Sequence, residues 1–436
     1  MLELDPYQKN LAGLVLVCGT LLATGGSGPE SRPRASGSRT QDAKTRQYES
    51  AHRGTQWAFY VGPYLYSLYR DEHNIPQRLI APLFTTGFLS GAFSATFIGS
   101  LADRFGRRLA CLSFCLIYSL SCVLTVIPSL PSLFAGRVLG GVGTSLLFSV
   151  FETWMVADFG ARYLGRKGLD LGRTFGTMST VNSVVAIGSG VLSEWMVERT
   201  GTRKTPFGAC VAVLGLAAAF IYTQWDENYG EVAATDKSNS PENKLLKALA
   251  NKKVLSLGLA STMFEGSMYL FVFSWAPALE AAHDPAAGPL PYGTIFASFM
   301  AAMMASSLLF TRLAPAGHGT VLSGLLVASA GVFYALSRSG SAPGSEQATF
   351  WLFCAFEACV GVYWPCVGVL RGKAVDDAVR AQVYGIMRIP LNVFVVVSLL
   401  KTGGSGGEQY AGVFGTCAGL LLVAALGLVA TTGTED

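Results

Sequence analysis

The sequence predicts an all-α membrane protein built from two six-helix bundles, with an extra helix at the N-terminal end. Of the 436 residues, 51% are hydrophobic and only 14% are charged, and the mean hydropathy is +0.41. A soluble domain carries roughly a quarter charged residues, so this composition is typical of a chain that crosses the membrane many times. A long polar stretch at residues 225–253 separates six apolar segments from six others. Two halves of matching hydropathy around a linker indicate internal duplication.

The pattern divides the chain into four segments. Residues 1–54 contain a short apolar run at 11–24 and a basic stretch, rich in Gly, Ser, Arg and Pro, that we expect to be disordered. Residues 55–225 form the first bundle, 226–252 a cytoplasmic linker and 253–436 the second bundle. The apolar run could be the core of a signal peptide, but acidic rather than basic residues precede it, so we favour a retained extra helix.

Each predicted core span has about the 20 residues that a helix needs to cross the hydrocarbon layer, apart from a short aromatic first one. The spans lie near 56–69, 79–100, 109–127, 133–156, 174–195, 206–224, 253–276, 292–311, 320–337, 349–370, 382–400 and 411–430. Three prolines, Pro277, Pro365 and Pro390, are expected to interrupt or end their spans.

The turn at residues 99–108, with the sequence GSLADRFGRR, joins two of these spans. Its three arginines place it in the cytoplasm, because cytoplasmic loops carry an excess of Lys and Arg. With that orientation, twenty-two Lys and Arg residues fall in inner segments, Arg371 among them, and seven in outer segments. The charge bias therefore supports the predicted topology.

Five ionisable side chains lie well inside predicted spans, where each costs roughly 2.5–3.5 kcal/mol to bury. They are Arg137, Glu152, Glu265, Glu357 and Arg388. Structural ion pairs between helices would explain them. The alternative that we favour is a water-filled cavity in which arginines hold an anion and a carboxylate carries a proton. A guanidinium suits a tetrahedral oxyanion, because its planar fork donates to two oxygens at once. Asn182 and Asn392 complete the candidate cavity set.

Three tyrosines have two possible interpretations, and several missing motifs exclude classes of function. Three tyrosines that end the first core span, Tyr64, Tyr66 and Tyr69, are either an interfacial belt or an outer gate. The sequence has no H-E-x-x-H, G-x-S-x-G or P-loop pattern, and its nine cysteines form no C-x-x-C. Its net charge of +4 is spread over loops. We therefore predict no enzyme, cofactor, metal site or nucleic-acid partner, and contact with membrane lipid instead.

The turn has the form G-x-L-x-D-R-x-G-R-R and resembles the signature loop of the major facilitator superfamily. Further stretches resemble one branch of it, the molybdate-anion transporters (major facilitator superfamily domain-containing protein 5). They lie at 62–69, 136–141, 146–154, 225–229, 264–265, 271–277, 296–301 and 388–391. One departure is that Thr55 and Gln56 precede Trp57, where the branch typically has an acidic residue.

The resemblance implies a secondary active transporter that takes up molybdate across the plasma membrane by alternating access, with H⁺ as a possible coupling ion. It carries the five buried charges over as cavity residues. It also carries over an inner gate, consisting of Asp103, Arg104, Arg107 and Arg108, in which Asp103 braces a neighbouring helix end in one state only. A superfamily transporter of another solute, such as an organic anion or a sugar, and a non-transporting receptor or scaffold remain the alternatives.

Overall fold

The computed structural model describes most of the chain as helix. It covers residues 5–25, 62–163, 171–229, 250–284, 288–313, 317–339, 345–374, 390–391, 393–398 and 407–432. Within these ranges there is no β-strand, and nine helices are long and apolar enough to cross a membrane. The stretch that we expected to be disordered lies almost entirely outside the described residues.

The described helices are numbered here in chain order. They are α1 (Pro6–Gly25), α2 (Gly62–Ser67), α3 (Gln77–Phe105), α4 (Arg107–Val126), α5 (Leu130–Tyr163), α6 (Leu171–Thr200), α7 (Thr205–Gln224), α8 (Lys252–Ala282), α9 (Tyr292–Leu313), α10 (His318–Ser339), α11 (Glu346–Ala374) and α12 (Gly407–Thr432). Residues 390–391 and 393–398 are also helical, and a π-helical turn at Leu68–Glu72 continues α2.

The helices extend past most of the predicted spans by a few residues at each end. The reason is that backbone hydrogen bonding continues beyond the apolar segment into polar residues. Between α3 and α4 only Gly106 is non-helical, with φ at +113°. Pro277 and Pro365 do not end their helices, since α8 and α11 continue through them.

One compact unit contains α2, α4 to α7 and all but the first turn of α3. Small residues let α3 and α5 approach closely: a Cβ on Gly141 would overlap the backbone of Gly87. The Ser90 hydroxyl donates to the Val138 carbonyl at 2.7 Å, and the Ser94 hydroxyl donates to that of Ser145 at 2.9 Å. Interhelical hydrogen bonds of this kind, together with close backbone contact, hold membrane helices together where lipid offers no hydrophobic driving force.

The other unit contains α1 and α8 to α12. Its core is aromatic, since the rings of Phe264, Phe271 and Phe333 all contact Phe356. Gly361 brings α11 against α9, because a Cβ there would overlap the backbone carbonyl of Met303. The interior of this unit is therefore packed in two ways, by ring-to-ring contacts around Phe356 and by close backbone contact at Gly361.

The extra helix α1 packs against α9 and α11 of this second unit. The Tyr7 hydroxyl donates a short hydrogen bond to the Glu346 carboxylate, and the Asn10 amide donates to Gln347 at 3.1 Å. Further along, the Cys18 thiol donates to the Ala301 carbonyl at 3.2 Å. The favoured interpretation of residues 11–24 as a helix is confirmed, and the boundaries of the four predicted segments stay a prediction.

Candidate functional site

The second unit contains a buried ion pair between α8 and α11. Glu265, only 4% exposed, accepts a hydrogen bond from the Arg371 guanidinium at 2.7 Å and from the Tyr363 hydroxyl at 2.8 Å. The Tyr363 ring stacks on Phe264 at a centroid separation of 4.1 Å, which fixes the direction of its hydroxyl. The carboxylate is therefore neutralised and held by two donors from the facing helix.

The placement of Arg371 in an inner loop was wrong. Arg371 lies inside α11, eight residues after Tyr363, so the two side chains share a helix face directed at Glu265. A lone carboxylate in an apolar interior is costly, and breaking such a pair strands the remaining charge. Of the two explanations given for the buried charges, the interhelical ion pair is the one that describes the surroundings of Glu265.

Glu357 is also buried in the second unit, at 7% exposure. It differs from Glu265 because no described residue gives it a hydrogen bond or an ion pair. It sits one helical turn before Gly361, where α11 touches α9. It is thus a carboxyl group in a tightly packed environment with no described cation to balance a negative charge.

Arg137 belongs to α5 in the first unit and has a different environment. Its guanidinium lies 5.2 Å over the Phe84 ring, and its Nε donates to the Leu83 carbonyl at the long distance of 3.4 Å. It presses on Gly87, where a Cβ would overlap the guanidinium. Among the described residues, no carboxylate forms an ion pair with it. Arg137 therefore keeps a positive charge that the described protein does not neutralise.

The tyrosines near the end of the first core helix are buried inside the protein. Tyr64, Tyr66 and Tyr69 are exposed by 1%, 4% and 0%. An interfacial belt would face lipid headgroups, so that interpretation is wrong for these three side chains. The Tyr64 hydroxyl donates to Glu194 of α6 at 2.7 Å.

Tyr69 lies on the π-helical turn, and its carbonyl accepts from the Ile75 amide at 2.9 Å. Such turns occur mostly as single-turn insertions and are frequent at functional sites. The Tyr69 ring meets Phe84 edge-on at 6.3 Å, and its hydroxyl interacts electrostatically with Arg137. The turn therefore brings Tyr69 into the surroundings of Arg137.

At the predicted inner gate, Asp103 pairs with Arg107 across the turn. The Arg107 guanidinium reaches the Asp103 carboxylate at 2.7 Å and the Thr153 carbonyl of α5 at 3.4 Å. Arg104 lies over the neighbouring Phe105 ring. In this structure the contact to a neighbouring helix is made by Arg107, and Asp103 positions that arginine.

The same turn is braced by residues that the sequence placed in the linker. The Glu227 carboxylate accepts from the backbone amides of Arg108 at 2.7 Å and Leu109 at 3.1 Å, which caps the start of α4. Trp225 stacks on Trp154 of α5 at 3.6 Å, and the Trp154 indole donates to the Asp226 carbonyl. The first residues of the predicted linker thus belong structurally to the first unit.

Four predicted cavity residues remain. Asn182 lies on α6 with a partly exposed side chain. The Glu152 side chain, Arg388 and Asn392 lie outside what the structure describes. Among described residues, no three His, Cys, Asp or Glu side chains lie close enough together to hold a metal ion.

Sequence reasoning missed Arg371, Tyr363 and Glu227 as functional candidates. The eight-residue spacing of Tyr363 and Arg371 was the available signal for a shared face. For Glu227 the signal was an acidic residue in a segment that the resemblance already singled out, directly after α7. No pattern in the sequence joined either group to its partner.

Comparison with known proteins identifies the family. A family model described as "Sugar-transporters, 12 TM" matches residues 7–323. A molybdate-anion transporter of Danio rerio is 32% identical, over 87% of this chain and 85% of that protein. One of Xenopus tropicalis is 34% identical, over 84% of this chain and 81% of that protein.

Solved structures share the fold at lower identity. The nucleoside transporter NupG covers 90% of this chain and 99% of its own, with a TM-score of 0.64 and 16% identity. The peptide transporter POT in complex with sulfate covers 95% of this chain and 98% of its own, with a TM-score of 0.69 and 15% identity.

The relatives and the family are transporters and not enzymes. The apolar helices and the fold agree with that class. This chain is therefore an integral membrane transporter, and it belongs to the molybdate-anion transporter family of the major facilitator superfamily.

Proposed function

We propose that this chain takes up molybdate across the plasma membrane, as a secondary active transporter that works by alternating access. The substrate is supported by relatives named molybdate-anion transporters, at more than 30% identity over most of the chain. Alternating access is supported by the fold, whose two halves suit a substrate path that opens to one side at a time.

The structural observation that carries the proposal is the unneutralised charge of Arg137. Molybdate is a tetrahedral dianion, and a guanidinium donates to two of its oxygens in parallel. A carboxylate beside Arg137 would compete with the substrate, and no described carboxylate pairs with it. This favours an anion over a neutral solute as the transported species.

We assign proton coupling to the second unit. Glu265 accepts hydrogen bonds from Arg371 and Tyr363, and Glu357 is buried without a described cation. A carboxyl group buried without a cation is suited to carry a coupling proton, because gaining or losing that proton changes the charge of its surroundings and can shift a conformational equilibrium. Glu357 is therefore the carboxyl group of the second unit to which we assign the coupling proton.

The test is molybdenum accumulation in a host that lacks its own molybdate transporters, with the protein expressed and confirmed at the cell surface. We expect uptake that saturates, that is stimulated by an inward proton gradient and that is abolished by a protonophore. Absence of accumulation above the empty-vector control, at normal surface abundance, would contradict the proposal. Uptake that persists unchanged with the protonophore would contradict proton coupling alone.

A sugar or an organic anion is the second candidate, because the matching family model is described as a family of sugar transporters. Competition separates the candidates. Unlabelled molybdate should suppress the signal, whereas hexoses and organic anions at the same concentration should leave it unchanged. Sulfate is the most informative competitor because it shares the tetrahedral geometry.

A further inference from the structure

The surroundings of Arg137 combine features that an ordinary structural arginine does not need. The guanidinium lies over one aromatic ring and interacts electrostatically with two tyrosines of neighbouring segments. Phe84 of α3 lies under it, and its charge also acts on Tyr69 of the π-helical turn and Tyr118 of α4. Its only described hydrogen bond, to the Leu83 carbonyl, is long. Most of the donor capacity of the guanidinium is therefore not used by the described protein.

Tyr69 is the second group in this neighbourhood with an unused donor. Its side chain is fully buried, and its hydroxyl interacts with the neighbouring Thr125 hydroxyl but meets no described residue at ordinary hydrogen-bond geometry. The neighbouring Thr125 hydroxyl donates to the Ser121 carbonyl at 2.8 Å. Buried hydroxyls almost always have a partner, so one without a partner calls for an explanation such as a ligand.

Gly87 leaves space for the Arg137 guanidinium. It faces Arg137 from α3, and any side chain at that position would displace the guanidinium. By contrast, Gly99 on the same helix has open space where a Cβ would stand. The absence of a side chain at Gly87 therefore allows the guanidinium to lie against α3. At Gly99 a side chain would fit without displacing any neighbour.

We infer that Arg137 and Tyr69 form an oxyanion subsite within the first unit, in which Gly87 positions the guanidinium and the Tyr69 hydroxyl donates to a further oxygen of the same anion. The inference rests on the proposed function and deepens it, since it assigns the substrate's binding groups. The ligand class is a small tetrahedral oxyanion. The planar fork can donate to two oxygens along one edge of the tetrahedron, and the single hydroxyl can donate to a third oxygen at another vertex.

The first test is Tyr69→Phe, which keeps the ring against Phe84 and removes only the hydroxyl. The KM for molybdate should rise about tenfold, the loss expected for a hydrogen bond to a charged group, with little change in maximal rate. The control is Tyr334→Phe. Tyr334 is 61% exposed on α10 of the second unit, so loss of its hydroxyl should leave both protein abundance and the KM unchanged.

The second test is Gly87→Ala against Gly215→Ala on α7, a position outside the signature loop where a Cβ would meet open space. The first substitution should displace the guanidinium and raise the KM by tenfold or more, while the second should leave both abundance and KM at the wild-type values. Equilibrium binding of molybdate to the purified protein in detergent provides a readout that does not depend on transport. In that assay Tyr69→Phe and Gly87→Ala should each weaken binding by the same factor as the KM.

The results of these assays distinguish failure of the proposed subsite from failure of the proposed function. If the wild type accumulates molybdate and both Tyr69→Phe and Gly87→Ala leave KM and binding unchanged, the subsite is wrong and the proposed function stands. If the variants lose surface abundance, binding to the purified, folded fraction decides, and unchanged affinity overturns the subsite. If the wild type neither binds nor accumulates molybdate, the proposed function itself fails.

Discussion

The two halves of this transporter treat a charged side chain within a membrane-spanning helix in opposite ways. In the second unit, Glu265 is held by Arg371 and Tyr363 at ordinary hydrogen-bond distances. In the first unit, Arg137 has an aromatic ring, a long contact to a carbonyl and no carboxylate partner among the described residues. The second unit balances its charges internally, whereas the first unit leaves a cation for something else to balance.

The difference indicates a division of labour. An internally balanced pair contributes to stability, because removing either partner leaves the other charge buried and uncompensated. An unbalanced guanidinium is suited to bind an anion, because no internal partner has to be displaced. The following substitutions test this division.

The largest effect is expected at the balanced pair. Arg371→Leu should leave the Glu265 carboxylate buried without its cation and destabilise the protein by about 3–5 kcal/mol. Thermal unfolding of the purified protein in detergent measures this loss. Adding Glu265→Gln in the double variant should recover most of it, because no uncompensated charge remains. A double variant that is no more stable than Arg371→Leu alone would show that the pair is not the source of the effect.

At Arg137 the same kind of substitution should have the opposite profile. Arg137→Ala strands no carboxylate, so we expect thermal stability close to that of the wild type. Molybdate uptake should fall by at least tenfold, corresponding to about 1.5–3 kcal/mol for a charged hydrogen bond. Arg137→Lys should be intermediate, since it keeps the charge and loses the fork. If Arg137→Ala destabilised the protein as much as Arg371→Leu does, the proposed difference between the two halves would be wrong.

A smaller effect is expected where a carboxylate of the first unit does have partners. Glu227→Gln weakens the cap at the start of α4, and we expect it to cost about 1–2 kcal/mol in thermal stability. Glu198→Gln, at an exposed position of α6 with no described ion pair, is the matched control and should change stability little. Equal unfolding temperatures for the two variants would show that Glu227 does not brace the turn.

The smallest effect concerns His283, just beyond the end of α8. Its ring nitrogens face the Glu346 carboxylate at 2.8 Å and the Gly288 carbonyl at 2.7 Å, so both nitrogens donate only when the ring is charged. Burial opposes the charged form, but the hydrogen bonds to Gly288 and Glu346 and the charge of Glu346 outweigh it and raise the pKa of His283.

Because that pKa is raised in the folded state, its stabilisation is complete below the unfolded value of about 6.5 and is lost as the pH rises through the folded value. We expect less than about 1 kcal/mol, visible as a fall in unfolding temperature from about pH 6 to about pH 8 that is reduced in His283→Gln. His318→Gln, which removes a histidine without a described ion pair, should keep the full pH dependence. An undiminished fall in His283→Gln would contradict the prediction.

Where the structure describes the chain, the sequence predicted the spans well, because the length of an apolar run is set by the thickness of the bilayer and needs no partner. It also placed Glu265 and Glu357 in the interior, since a carboxylate inside an apolar run has few other places to go. It could not pair Glu265 with Arg371, which lies 106 residues away at the polar end of a predicted span. Nor could it show that Glu227 caps α4, because that contact depends on how the chain turns after α7.

The docking of α1 has a consequence for synthesis of the chain. The Cys18 thiol meets the Ala301 carbonyl 283 residues later. At translation rates of about 5–20 residues per second, the ribosome needs roughly fifteen to sixty seconds to make that partner after α1 has emerged. During this interval α1 lacks its contacts with α9 and α11, while the helices of the first unit are inserted into the bilayer. Packing of the second unit is therefore completed only when a helix made 283 residues earlier docks onto it.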